Sequence, residues 1–259
     1  MMVKRLLDRI LPPRSGAPAS RSRPKLFLDH RPELIYAIGD VHGCHPLLLK
    51  MERSIIRDGA TVAGEKWIVL LGDYIDRGPA SAAVLDHLLS HAPDGFRRIC
   101  LAGNHEDLML SYLDDPDPGH FWLGLGGRDT LRSYGIGDMT ERRSMKARLE
   151  HQVPSQHVDF LRTAPSLLSV PGYTFVHGGI RPGIPLAQQV DQDLLWLRPD
   201  LDSARAARAD FVTVHGHTPI RNVELNAGRI NIDTGAYATG ILSCVRIDRD
   251  NTVTKLSVS

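Results

Sequence analysis

The chain has 259 residues, 42% of them apolar and 24% charged, enough to bury a substantial core in one large domain. Thirty-one basic residues stand against thirty acidic ones, a formal charge of +1, so no global field favours nucleic acid or an anionic membrane and any anion binding must rest on local charge. The three cysteines, Cys44, Cys100 and Cys244, are odd in number and lack C-x-x-C spacing, which argues against a disulfide framework and for a reducing cytoplasm.

Residues 1–30 are expected to be a mobile basic tail. Residues 1–10 offer one or two turns of basic amphipathic helix, and residues 11–25 are rich in Pro, Ser, Arg and Ala. The apolar stretch is too short and interrupted for a signal peptide, and no run approaches the roughly 20 apolar residues of a membrane span. Residues 31–259 are expected to form a single domain. It opens with apolar runs at 34–38, 67–71 and 98–102, which read as strands buried on both faces. Helices are predicted after each, over 46–57, 80–91 and 106–112, from Leu47, Leu48, Met51 and Ile55 in the first and Val84, Leu85, Leu88 and Leu89 in the second. This βαβαβα order favours parallel strands at the centre of an α/β protein.

The middle of the chain is less regular. Residues 114–119 are a turn cluster, 121–127 read as a loop or short helix, and 140–151 as a charged helix. Strand signals return at 174–176, 211–214, 229–233 and 241–247. A closing strand near 252–258 completes a hairpin around Asp250-Asn251. The alternating polarity of this last third predicts a second sheet, mixed or antiparallel, packed on the first. The fold class expected is therefore α/β, with two packed mixed β-sheets flanked by helices.

Four short segments carry the chemistry: Gly39-Asp40-Val41-His42-Gly43, Gly72-Asp73-Tyr74-Ile75-Asp76-Arg77-Gly78, Gly103-Asn104-His105-Glu106 and Val214-His215-Gly216-His217-Thr218. The first three directly follow predicted strands, at the carboxyl ends where open α/β sheets bind ligands. Carboxylate, amide oxygen and imidazole together suit manganese, iron or zinc, and fit calcium or a thiolate zinc site poorly. Any one segment is readable as a capped turn, but the ordered set points to a two-metal phosphoesterase.

These segments, with Val176-His177-Gly178-Gly179, resemble the signature of the metal-dependent phosphoprotein phosphatases within the calcineurin-like metallophosphoesterases, the small bacterial and lambda phage enzymes above all. Leu195-Trp196-Leu197-Arg198 and the run from Asn231 to Ala236 resemble further segments, so the similarity spans about 34–247 and leaves the tail outside. The resemblance implies that Asp40 and His42 hold one metal, that Asp73 bridges it to a second, and that Asn104, His177 and His217 complete the second site. A water shared by the two ions would attack phosphorus directly, without a covalent nucleophile. His105 would then protonate the leaving oxygen, with Asp76 orienting the imidazole. Arg77 and Arg198 would clamp the phosphoryl oxygens. His215 is expected to support the metal centre rather than ligate it. His87, His91, His151 and His157 read as solvated surface groups. The segment Gly126-Gly127-Arg128-Asp129-Thr130 resembles one that recurs in bacterial protein phosphatases and diadenosine tetraphosphatases, and it does not identify a substrate.

The function expected is hydrolysis of phosphate monoesters, phosphoserine and phosphothreonine in proteins first, with dinucleoside polyphosphates as the rival substrates of the same centre. Two divalent ions are expected as cofactors, manganese before iron or zinc. A non-catalytic phosphate-binding scaffold would lack a ligand, His105 or Arg77, and none is missing. A long polyanion track would need a basic, aromatic-rich stripe, so extended nucleic acid is not an expected partner, nor is stable membrane insertion. The expected partners are phosphoproteins or phosphorylated small molecules, in the cytoplasm.

Overall fold

In a computed structural model of the chain, residues 22–137, 142–198 and 210–259 are described. Two sheets face each other. The first has five strands in the order β11-β10-β2-β3-β4, where β2 is Leu34–Ile38, β3 Lys66–Leu70, β4 Phe96–Cys100, β10 Leu242–Asp248 and β11 Val253–Val258. The second has six, β1-β5-β6-β7-β9-β8, built from Lys25–Phe27, Leu167–Val170, Tyr173–Val176, Val212–His215, Arg229–Asn231 and Glu224–Asn226 as β1, β5, β6, β7, β9 and β8. This is the expected pair of mixed sheets with flanking helices.

Strand periodicity explains both cores. Leu34, Tyr36, Ile38, Ile68 and Leu70 point to one face, against α1 (His45–Gly59) and α2 (Ser81–Leu89). Their neighbours Ile35, Ala37, Trp67, Val69 and Ile99 point to the other and meet Leu168, Phe175, Val214 and Ile230 of the second sheet. β2, β3 and β4 are parallel, as are β6, β7 and β9, so six carboxyl strand ends come from two packed sheets.

Several expectations are corrected. β4 is an edge strand and not buried on both faces: Arg97 in its middle is exposed, while the Arg98 side chain is buried against Glu52. The hairpin β10–β11 forms around Asn251 as expected, but it extends the first sheet, β10 pairing antiparallel with β2. Leu242 and Cys244 pack on one core and Val245 and Ile247 on the other, which suits β10 to an inner position. The mobile tail does not reach residue 30: β1 pairs parallel with β5, and Arg23 is buried, its guanidinium donating to the carbonyls of Leu161 at 2.7 Å and Ala164 at 3.2 Å. Residues 1–21 lie outside the described residues. The charged helix predicted over 140–151 is α5 (Arg142–Gln152), and the residues before it are not described. His157 is not a solvated surface group. It is buried on α6 (Ser155–Thr163), with Nδ1 2.7 Å from the Tyr134 hydroxyl and Nε2 3.0 Å from Asp86.

His87 is likewise part of a network. Buried Glu52 accepts from Arg98 Nε at 3.1 Å and Nη2 at 2.7 Å, and lies 2.7 Å from His87 Nε2. Burial pushes the carboxyl's pKa up, but the His87 hydrogen bond and the Arg98 charge outweigh it and hold it below the usual range. Breaking one side of a buried pair strands the other charge. Glu52→Gln is therefore expected to lower unfolding free energy by about 3 kcal/mol in chemical denaturation. A loss below about 1 kcal/mol would mean that Arg98 finds water instead.

Candidate metal centre

Asp40 follows β2, Asp73 follows β3, Asn104 opens α3 (Asn104–Asp114) after β4, and His177 and His217 follow β6 and β7. Each is buried, and the turns that deliver them are conformationally forced. Of six described non-glycine residues with positive φ, five are His42, Asp73, Asp76, Arg77 and His217, all in the candidate site. Such backbone strain persists only where surrounding bonds over-determine it. Glu106 supplies those bonds at Asp73: its carboxylate accepts the N–H groups of Asp73 at 2.8 Å, Tyr74 at 2.8 Å and Gly103 at 2.7 Å. A Cβ on Gly103 would stand 2.2 Å from Asp73 Oδ1, so only glycine lets the two loops approach.

Two donor groups result. His42, Asp73 and His105 each bring one ligand atom to within 4.8 Å of the others, and so do Asp73, His177 and His217. Asp73 belongs to both. Its Oδ1 lies 3.3 Å from His177 Nε2, and its Oδ2 3.5 Å from His42 Nε2 and 3.8 Å from His105 Nε2. Asn104 joins the second group, with Oδ1 2.9 Å from His177 Nε2. Asp40 is in neither group. Its carboxylate accepts the His217 N–H, at 3.1 and 3.3 Å. His215 is also in neither, and its Nδ1 lies 2.9 Å from the Gly216 carbonyl oxygen.

The donor chemistry fits divalent cations. His42 Nδ1 is 2.8 Å from the Ile75 carbonyl and His177 Nδ1 3.0 Å from that of Leu71. A carbonyl only accepts, so Nδ1 carries a proton in each ring and Nε2 is the nitrogen turned inward to the cluster. His177 Nε2 faces Asn104 Oδ1 at 2.9 Å and His217 Nδ1 at 3.2 Å, so potential ligand atoms from three elements meet at one point. Burial, with Arg77 and His105 nearby, lowers the His42 pKa to about 3, and burial beside His177 holds His217 well below the imidazole range. Burial and the charges of Asp233 and Asp73 push Asp40 well up, and burial raises Asp233 too. For Asp73, burial is outweighed by His177, His105 and His42, which hold its pKa well down. The lowered His42, His217 and Asp73 values favour the neutral rings and ionised carboxylate that metal binding requires, whereas Asp40 and Asp233 are crowded acids that a bound cation would have to ionise.

The other predicted residues flank this cluster. His105 Nδ1 lies 2.5 Å from Asp76 Oδ2. Burial alone would lower the His105 pKa, but Asp73 and Asp76 raise it above the ordinary imidazole value. Arg77 reaches His42 Nε2 at 2.8 Å and His105 Nε2 at 3.2 Å, and Arg198 Nε donates to His217 Nε2 at 3.2 Å. Sequence reasoning missed Glu106, Asp233, Trp122, Thr130 and Tyr237. Trp122 and Thr130 hydrogen-bond Asp76, and the half-exposed Tyr237 ring lies 4.7 Å beneath the Arg77 guanidinium and edge-on to His42. Glu106 and Asp233 sat inside quoted segments without a role, whereas the contacts of Trp122 span 46 residues and leave no local signal.

The calcineurin-like phosphoesterase family profile matches residues 34–242. Among curated proteins, the chain is 29% identical to serine/threonine-protein phosphatase 2 of Escherichia coli strain K12, covering 84% of this chain and 94% of that one. It is 26% identical to the asymmetrical bis(5'-nucleosyl)-tetraphosphatase PrpE of Anoxybacillus flavithermus, covering 83% and 91%. Among solved structures, a protein serine/threonine phosphatase from Saccharomyces cerevisiae superposes with a TM-score of 0.57 at 14% identity, over 93% of this chain and 85% of that one. With the fold, the two donor groups and the matched span in agreement, the chain belongs to the calcineurin-like phosphoesterase family and is a metal-dependent phosphoric ester hydrolase.

Proposed function

We propose that the protein hydrolyses phosphate monoesters, with phosphoserine and phosphothreonine in proteins as its principal substrates. The observation that carries this reading is the His105–Asp76 pair, whose Nε2 edge is turned toward Arg77 and the donor groups. A serine or threonine alkoxide is far more basic than the phosphate group of a departing nucleotide. A positioned acid therefore contributes most when the leaving group is an alkoxide.

Asp40, His42 and Asp73 would hold one ion, and Asp73, Asn104, His177 and His217 the other. When bound, the ions supply charge neutralisation and activation of the attacking water. Manganese suits the oxygen and nitrogen donors, as do iron and zinc. Arg77 and Arg198 bind the phosphoryl oxygens as charged forks, and Tyr237 supports the Arg77 plane from below. His105 gives its Nε2 proton to the leaving oxygen while Asp76 holds Nδ1. Three unbridged thiols and the bacterial relatives support a cytoplasmic setting. No helix among the described residues is long and apolar enough to cross a membrane.

A second reading, cleavage of dinucleoside polyphosphates, is favoured by the exposed Tyr237 ring beside Arg77, where a nucleobase would stack, and by the relatives named as tetraphosphatases. Specificity constants measured side by side on a phosphothreonine peptide and diadenosine tetraphosphate decide between them. The expected preference is for the peptide, and a higher kcat/KM on the dinucleotide would reverse the ranking.

A further inference from the structure

We infer that the segment 121–133 is a clamp that sets the acid pair, with Trp122 and Thr130 as positioning residues for Asp76. The inference rests on the reading of His105 as the acid. The 3-10 turn Phe121–Leu125 and α4 (Gly127–Ser133) carry the two side chains, and both are fully buried. Trp122 Nε1–H donates to Asp76 Oδ2 at 2.7 Å, and the Thr130 hydroxyl donates to Oδ1 at 2.6 Å. The Asp76 N–H in turn donates to Thr130 Oγ1 at 2.8 Å and to Ser81 Oγ at 3.0 Å. Both carboxylate oxygens and the amide of a residue at φ +74 are thereby fixed from outside the metal segments. Among the described residues, the remaining hydrogen-bond partner of the carboxylate is His105 Nδ1. That bond fixes Nδ1–H and leaves Nε2, which carries the second and transferable proton of the imidazolium, on the substrate side.

The glycine pair gives the clamp its fit. A Cβ on Gly127 would stand 2.5 Å from the Trp122 indole, and one on Gly126, at φ +112, would stand 2.5 Å from the Arg77 backbone nitrogen. Glycine at both positions lets α4 close on the indole from one side and on Arg77 from the other. The segment thus braces the acid pair and the adjacent phosphate clamp together. A role in holding Asp76 also gives a physical purpose to Gly126-Gly127-Arg128-Asp129-Thr130, which substrate chemistry alone left without one.

A loose Asp76 misaims the acid, and misaiming matters in proportion to how much the leaving oxygen needs a proton. Trp122→Phe removes one hydrogen bond to the Asp76 carboxylate, Thr130→Val removes one and also an acceptor of the Asp76 N–H, and Thr130→Ser retains the hydroxyl. In the manganese-loaded protein, kcat is to be measured on 2,4-dinitrophenyl phosphate, phenyl phosphate and a phosphoserine peptide, with metal content and KM alongside. For Trp122→Phe and Thr130→Val, the expected result is a fall of about 10-fold or more on the peptide and under about 3-fold on the dinitrophenyl ester, with metal content unchanged. Thr130→Ser is expected to restore most of the loss. Equal falls on all three substrates, or none, would overturn the clamp, since a general packing defect does not read the leaving group. His105→Asn separates the two ideas. If it discriminates between leaving groups and the clamp variants do not, the clamp alone fails. If His105→Asn does not discriminate, the acid assignment fails and the clamp with it.

Discussion

Replacing His105 by Asn is expected to lower kcat on a phosphothreonine peptide by about 10²–10⁴-fold while metal content stays near that of the unaltered protein. Asn keeps a hydrogen-bonding group opposite Asp76 but has no proton to give at neutral pH. The pH profile provides an independent readout. In the metal-free protein Asp73 and Asp76 raise the pKa of His105 despite its burial; cations held on Asp73 offset its share, and the Asp76 hydrogen bond is what keeps the imidazolium in the loaded enzyme. Activity that depends on the protonated acid is full below the pKa of His105 in the loaded enzyme and falls as pH rises through it. This alkaline limb should vanish in His105→Asn. The rival outcome is specific, because His105 Nε2 is itself one of three converging donor atoms with His42 and Asp73. Collapse of the metal content in the variant would make His105 a ligand and remove it as the acid.

The residues that separate these outcomes differ in how far they could be read from the chain. Asp40, Asp73 and Asn104 were legible because each follows an apolar run and a glycine, and a strand end is a local pattern. The helices after them were legible from their spacing for the same reason. What failed was the partner of each element. β10 carries apolar residues for two cores, yet nothing in its own seven residues distinguishes an inner strand of the first sheet from a member of the second. β1 lies in a Pro- and Arg-rich stretch that composition assigns to a tail, and it is ordered by contacts with residues 138 and 141 positions away, through Arg23. His157 looked solvated because it lies in a polar stretch, and its partners Tyr134 and Asp86 come from two other helical regions. At the candidate site, ligand types are a property of sequence, whereas the support of Asp76 by Trp122 and Thr130 is a property of packing.

Asp73 is the residue whose loss should cost most. It belongs to both donor groups, adopts φ +52, and has its amide held by Glu106 and its Oδ1 hydrogen-bonded by the His105 N–H at 3.1 Å. Asp73→Asn keeps the size of the side chain and removes the charge that faces three imidazoles. Each ion is worth several kcal/mol of charge stabilisation, so loss of binding at both sites should depress kcat by roughly 10³-fold or more. Chelation of the unaltered protein should abolish activity on an aryl phosphate, and added manganese should restore it. Unchanged activity after verified removal of metal would sink the two-metal account. The variant should fail to recover, and thermal unfolding gives a readout free of turnover. Manganese at about 100 times its dissociation constant should stabilise the unaltered protein by about 2.7 kcal/mol per site, and Asp73→Asn hardly at all. Retention of two ions by Asp73→Asn would mean that the imidazoles, Asn104, Asp40 and the nearby Asp233 hold the metals without a shared carboxylate. A single retained ion would show that one site, with Asn104, His177 and His217 the better supplied, holds its metal without the Asp73 charge while the other does not.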